Sequence, residues 1–139
     1  MSRRDCDPCF TPGEKLYRTI SLEMVNKADN SVKGTKLRLQ VSVARGSLCD
    51  PAGAKHPEAP DRINGVAEIT VEAARSVKTD LLHAVCVDEP TPEFAPHALI
   101  AVATDALPGQ LAPEEVERWR ATLGQAFRVV PGRAPTKVR

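Results

Sequence analysis

Two segments near the start of the chain alternate apolar and polar residues, and this pattern constrains the fold more than any other feature. In residues 36–43 (KLRLQVSV), every second side chain is Leu or Val, and the side chains between them are polar. Residues 15–24 (KLYRTISLEM) show the same alternation, with Arg18 as the exception on the apolar side. Successive side chains of a strand point to opposite faces, so each segment is predicted to be a strand with one buried face. We expect the two strands to pair as a hairpin with a long loop.

Three further apolar segments, 65–71, 81–87 and 97–102, are also predicted to be strands. Residues 81–87 are apolar on both faces, which favours an interior position in the sheet. Thr70 can cap a short helical turn, and Pro113 stands at a favourable first position for a longer helix. An apolar stripe follows at helical spacing, formed by Val116, Trp119, Leu123 and Phe127. The sequence therefore predicts an α+β fold of about five mostly antiparallel strands, with one long C-terminal helix packed on one sheet face.

The composition is that of a single small domain. The chain has 139 residues, of which 42% are hydrophobic and 27% charged, and its net charge of +1 gives no reason to expect nucleic-acid or membrane binding. No apolar run reaches the roughly 18–20 residues that span a bilayer, and no apolar signal segment opens the chain. We expect a cytoplasmic protein with an irregular leader over 1–14, one α+β domain over 15–130 and a disordered tail over 131–139.

The cysteines are candidate metal ligands. Cys6 and Cys9 form a C-x-x-C pair across a proline, a spacing that can bind one metal ion, and Cys49 and Cys86 would complete a tetrahedral zinc site. Cys49 lies in a polar loop, which suits a ligand, whereas Cys86 lies in an apolar strand, where a buried thiol is the usual state. Without an export signal, disulfides are disfavoured. No other cofactor is expected, and the choice between structural zinc and free cysteines stays open.

Arg18 is the first candidate binding residue. A guanidinium on the apolar face of a strand must reach an acid, a carbonyl oxygen or a bound anion. The site interpretation is that Arg18 holds a phosphate or a carboxylate. The structural interpretation is that Arg18 lies at a sheet margin and extends its charge into water.

His97 is the second candidate, because it stands where a proline-stiffened segment (PTPEFAP) enters an apolar strand. Strand ends below rigid loops are favourable places for catalytic or ligand-binding groups. Alternatively, the ring hydrogen-bonds the loop backbone and fixes its course. His83 alternates with apolar residues and is expected to be a hydrogen-bonded core histidine.

Four short stretches of the chain resemble a family of short bacterial proteins of unknown function. They are LYR at 16–18, SV at 42–43, GVAEITVEAAR at 65–75 and PHALI at 96–100. The resemblance implies a small, single-domain bacterial accessory protein and carries no activity or cofactor. It draws Arg18, Ser42 and His97 together as the polar positions to test, and these are our candidate catalytic residues. The cysteines are not part of the shared pattern.

Two functions follow as hypotheses. The sequence lacks the glycine-rich, P-loop, H-E-x-x-H and G-x-S-x-G motifs of common enzymes. The first hypothesis is a non-catalytic component that recognises a protein partner or forms a homodimer, because a sheet with one covering helix leaves a face open. The alternative is a small enzyme for a phosphate-bearing or nucleotide substrate, with Arg18 holding the anion and His97 acting as acid or base. Basic residues from Lys27 to Arg45 are expected to form a solvated face, since it lacks aromatic side chains for base stacking.

Overall fold

The computed structural model describes residues 10–51, 65–104, 106 and 109–135. The strands are β1 (Lys15–Ile20), β2 (Val25–Asn26), β3 (Ser31–Val32), β4 (Gln40–Arg45), β5 (Gly65–Thr70), β6 (His83–Asp88), β7 (His97–Ala103) and β8 (Arg128–Val129). The helices are α1 (Val71–Arg75) and α2 (Pro113–Ala126), and single 3-10 turns lie at Leu22–Met24 and Gly34–Lys36.

Six of these strands form one antiparallel sheet in the order β6-β7-β4-β1-β5-β8, and β2 and β3 form a separate hairpin. The predicted α+β class, with a mostly antiparallel sheet and a C-terminal helix on it, is confirmed. The predicted pairing of the first two long strands is also confirmed, since β1 lies beside β4. Short β8, which follows α2 directly, adds a sixth strand that the sequence pattern did not predict.

The α2 face of the sheet carries the main core. Trp119, Leu123 and Phe127 are fully buried against alternate side chains of the central strands, such as Leu16 and Val43. Burying apolar side chains of this size stabilises the fold by about 1.5–3 kcal/mol each. The predicted stripe of α2 therefore holds the helix on the sheet.

The opposite face of the sheet is buried as well. Tyr17 and Val66 belong to one cluster there, and Val87 and Leu99 belong to another. Each of these side chains is less than a tenth exposed within the single chain. The open sheet face, from which a homodimer was expected, is therefore not supported.

Helix α2 approaches the segment after β3 very closely. A Cβ atom added at Gly124 would overlap the Val32 carbonyl oxygen, so only glycine fits this position. Arg120 strengthens the contact between α2 and this segment. Its Nε donates to the Leu37 carbonyl at 2.8 Å, and its Nη2 donates to the Thr35 carbonyl at 2.8 Å. At the start of α1, the Thr70 hydroxyl accepts from the Ala73 amide at 3.1 Å, and the predicted cap of this helix is confirmed.

Four predictions for the strands and their residues are corrected. Strand β1 ends at Ile20 rather than at residue 24, and β4 begins at Gln40 rather than at residue 36. Leu39 precedes β4 and is 40% exposed, so it does not continue the buried face. Strand β6 is apolar on both faces because both faces are covered, yet it ends the sheet order rather than lying inside it. His83 begins this strand and is exposed, not a core residue.

The described ends of the chain pack on the domain. Phe10, in the expected irregular leader, is 3% exposed and belongs to the main core. In the expected disordered tail, the Arg133 carbonyl accepts from the Val66 amide at 2.9 Å. Backbone hydrogen bonding therefore holds this part of the tail beside β5. None of the helices in the described ranges has the length and apolar character needed to cross a membrane.

Candidate functional site

The sheet is split along part of the seam between β1 and β4. The pairs that form there are Leu16 with Arg45 and Tyr17 with Ala44, and the ladder then stops although both strands continue. Strand β1 stays paired with β5 from Lys15 to Ile20, and β4 stays paired with β7 from Gln40 to Ala44. The split therefore separates two otherwise intact halves of the sheet.

The Arg18 side chain reaches across this split. Its Nη1 donates to the Ser42 carbonyl at 3.1 Å. The backbone groups of the odd-numbered residues of β4 form its hydrogen bonds with β7. For example, the Arg45 amide donates to the Pro96 carbonyl at 2.8 Å. Because backbone groups of a strand alternate in direction, the Ser42 carbonyl points away from β7 and toward β1. Arg18 thus donates to a carbonyl that would accept from a β1 backbone amide if the two strands stayed paired.

The charge of Arg18 has no acidic partner among the described residues. The guanidinium is half-buried, and its Nε is buried without a hydrogen-bond partner. Burial first, and then the neighbouring Arg38 charge, lower the pKa of Arg18 from its ordinary value. A desolvated cation with an unpaired donor costs free energy unless a counter-charge reaches it.

A cavity of about 110 Å³ lies at the split. Its polar lining is formed by Arg18, Thr19, Ser42 and His97, and its apolar lining by Tyr17, Val43, Ala44 and Phe94. All three candidate residues from the sequence therefore border one cavity. Its location explains why: Arg18 and Ser42 lie on the separated strands, and His97 stands opposite Ala44 on β7.

His97 is fixed by the loop that precedes it. Its Nδ1 donates to the Glu89 carbonyl at 2.8 Å, and the Glu89 carboxylate lies 4.0 Å from the same nitrogen. This bond agrees with the interpretation that the ring hydrogen-bonds the loop backbone. Because a carbonyl only accepts, the neutral ring carries its proton on Nδ1 and leaves Nε2 as an acceptor. The ring thus combines a structural bond with a place in the cavity wall.

Ser42 and His97 are diagonal neighbours across β4 and β7, since the register pairs Ser42 with Leu99 and Ala44 with His97. Ser42 is exposed, and its hydroxyl forms no hydrogen bond with the His97 ring in the part of the chain that the structure describes. A serine activated for nucleophilic attack needs a base within hydrogen-bond reach. The structure brings these residues to one cavity but does not join them as a nucleophile and its base.

The cysteines are not brought together where they are described. Cys49 packs on the Tyr17 side of the sheet, whereas Cys86 lies in the core on the α2 side. Burial first, and then Asp50, raise the pKa of the Cys49 thiol, which disfavours the thiolate that a metal needs. Cys6 and Cys9 lie outside the described residues, and within those residues no group of three or more candidate ligands could hold a metal. Structural zinc on Cys6 and Cys9 stays a prediction.

A buried ion cluster beside the split is a feature that the sequence analysis missed. Arg45, expected on a solvated face, is 7% exposed, and its Nε and Nη2 donate to the Glu14 carboxylate at 2.9 and 2.8 Å. The Phe10 ring covers its guanidinium at 4.0 Å, and Asp88 lies 3.5 Å from its Nη1. Extending the alternation of β4 by two residues would have placed Arg45 on the apolar face. Its charge, unlike that of Arg18, is satisfied.

The chain has no match among the protein-family models, the curated proteins or the solved structures with which it was compared. The resemblance to a family of short bacterial proteins therefore stays a prediction. What the cavity can bind rests on its own residues, and the contrast between two arginines is the main clue. Arg45 is neutralised by two carboxylates, whereas Arg18 borders a cavity and has no carboxylate partner within the described ranges.

Proposed function

We propose that this protein is a recognition module that binds a small anionic group in the cavity between β1 and β4, with Arg18 as the main ligand contact. The observation that carries the proposal is the half-buried Arg18 guanidinium, which has an unpartnered Nε and no acidic neighbour among the residues that the structure describes. A bound phosphate or carboxylate would supply the missing counter-charge through charge-assisted hydrogen bonds. Without a ligand, this unbalanced charge lowers the stability of the fold.

The rest of the cavity supports binding of an anion. No acidic side chain is among the described residues that line it; the Glu89 carboxylate, 4.0 Å from the Nδ1 of His97, lies outside that lining. The hydroxyl-bearing residues Thr19 and Ser42 border the same space and offer neutral donors. Arg38 adds a second positive charge near Arg18. The hydrogen bond to the Ser42 carbonyl fixes the guanidinium in place before a ligand arrives, which lowers the entropic cost of binding.

Recognition rather than catalysis is the function that we propose, because Ser42 and His97 share a cavity without a hydrogen bond between them. Recognition of a partner, expected from the sequence, remains compatible with this site when the partner presents the anionic group. The enzyme hypothesis would require His97 to act through Nε2 on a bound substrate, and it stays a prediction.

The test is a titration of the isotopically labelled protein with sodium phosphate and sodium acetate, followed by NMR. We expect saturable shifts of the amide resonances of Thr19, Ser42 and His97 with at least one anion. Arg18→Met should weaken that binding by about tenfold or more, the loss of one charge-assisted pair. Arg118→Met, the same change on an exposed face of α2, should leave it unchanged. Absence of saturable binding, or equal binding by Arg18→Met, would refute the proposal.

A further inference from the structure

We infer that the ligand of this cavity is an organic carboxylate with a short apolar group, rather than a phosphate. This inference rests on the proposed anion-binding function and narrows its ligand class. It is drawn from the donors that Arg18 has left, from the apolar walls and from the cavity volume.

The donors of Arg18 favour a carboxylate. Arg18 uses Nη1 for the Ser42 carbonyl, and its Nη2 has no hydrogen bond to any of the described residues. The guanidinium end therefore offers one planar edge, which matches the paired oxygens of a carboxylate. A phosphate carries more oxygens and more charge, and its sites usually combine several cations or a row of backbone amides. Arg38 is exposed and is not among the residues that line the cavity.

The walls of the cavity also favour a ligand with an apolar part. Tyr17, Val43, Ala44 and Phe94 give the cavity an apolar lining beside the half-buried Arg18 guanidinium. Tyr17 and Ala44 are less than a tenth exposed, so these walls are part of the folded core rather than mobile surface. Transfer of apolar groups from water into such a lining is favourable, whereas a fully hydrated inorganic anion gains nothing from it. A ligand with one charged end and one apolar end fits both halves of the cavity.

The size of the cavity also favours a small acid. The cavity measures about 110 Å³, whereas pockets for drug-sized ligands measure roughly 300–1,000 Å³. The cavity therefore suits a carboxylate with a short aliphatic chain. A nucleotide would have to leave its base and sugar outside, and its phosphate would meet apolar walls.

The experiment compares phosphate, acetate, propionate, butyrate and hexanoate by NMR titration of the full chain. We expect butyrate to bind at least about fivefold more tightly than phosphate, with affinity rising up to about fourfold for each CH₂ that the cavity encloses. The rise should level off by hexanoate, when the cavity is full. Phe94→Leu should flatten this dependence on chain length while acetate still binds. Leu48→Ala, which shortens an exposed leucine, should leave the dependence unchanged.

Each alternative result has a distinct meaning. Tighter binding of phosphate than of every carboxylate, with binding lost in Arg18→Met, would overturn this inference and leave the proposed anion site intact. No binding of any of these anions would refute both. A further titration compares a short peptide that ends in a free alanine carboxylate with the same peptide ending in an amide. This comparison distinguishes a protein C terminus from a small-molecule acid as the source of the carboxylate. Binding of the free peptide alone would indicate a protein C terminus, and binding of the free acids alone would indicate a small molecule; either result supports the carboxylate.

Discussion

The Nη1 of Arg18 donates to the Ser42 carbonyl at 3.1 Å, across a seam where β1 and β4 no longer pair. A side chain thus occupies the place of a backbone donor in the middle of the sheet. The arrangement keeps one strand carbonyl satisfied, but it brings a charge into a half-buried position where none of the described acidic side chains balances it. A charge that is buried without a partner is destabilising.

This arrangement predicts that Arg18 costs the ligand-free protein stability. Arg18→Met keeps much of the side-chain volume and removes the charge, so we expect the free energy of unfolding to stay the same or rise by about 1 kcal/mol. Urea denaturation of both proteins in an anion-free zwitterionic buffer is the measurement. A loss of more than about 2 kcal/mol would instead indicate that the bond to the Ser42 carbonyl is structural.

Glu14 is expected to make the free energy of unfolding depend on pH in the acidic range. Burial raises the pKa of this carboxyl, but hydrogen bonds from Arg45 and Ser47 and the Arg45 charge outweigh it, so the pKa lies below its ordinary value of 4.5. A carboxyl group whose pKa is lower in the folded state than in the unfolded state stabilises the fold at pH values above its unfolded-state pKa. This stabilisation is lost as the pH falls through the folded-state pKa.

Glu14→Gln should therefore lower the free energy of unfolding at neutral pH by about 3–5 kcal/mol, because Arg45 loses its closest partner. The difference between wild type and variant should shrink as the pH falls below 4.5. Urea denaturation across this pH range is the measurement, and Glu23→Gln, at an exposed position, is the control. A difference that stays constant with pH would contradict the assignment of the acid dependence to Glu14.

Gly124→Ala is predicted to destabilise the fold although alanine is the better helix former. The gain in helix propensity is about 1 kcal/mol. The added Cβ would overlap the Val32 carbonyl oxygen and press on the Gly34 backbone, which must move away. We expect a net loss of about 2 kcal/mol or more by chemical denaturation. Gln125→Ala, at the next and exposed position, should be neutral; a stabilised Gly124→Ala would show that α2 can shift freely.

His97 is predicted to act structurally through Nδ1. In His97→Asn, the side-chain amide can replace the Nδ1 donor to the Glu89 carbonyl, so the melting temperature should stay within a few degrees of wild type. In His97→Gln, the amide lies farther out, near the position of Nε2, and the loop bond is lost. We expect His97→Gln to melt at a lower temperature than His97→Asn, because only the asparagine amide reaches the Glu89 carbonyl. Equal melting temperatures for the two variants would show that the Nδ1 bond does not hold the loop.

Much of the site could be predicted from single residues, because each broke a local rule. Arg18 interrupts an apolar alternation, and His97 follows a proline-rich segment; the cavity contains both. Arg45 was assigned to the wrong side because β4 extends two residues beyond its clear pattern. The partner of a buried charge lies far along the chain, as Glu14 does from Arg45, and no local period indicates it.

By itself, the amino-acid order determined which segments become strands or helix and which of their side chains turn inward, because these depend on periods of two and of about 3.6 residues within each segment. Only the tertiary structure decided that β1 and β4 separate beyond Tyr17, that Arg18 enters the opening, and that β6 ends the sheet. Those outcomes depend on how distant segments compete for the same backbone groups and the same space. Such competition is settled by the packing of the whole chain.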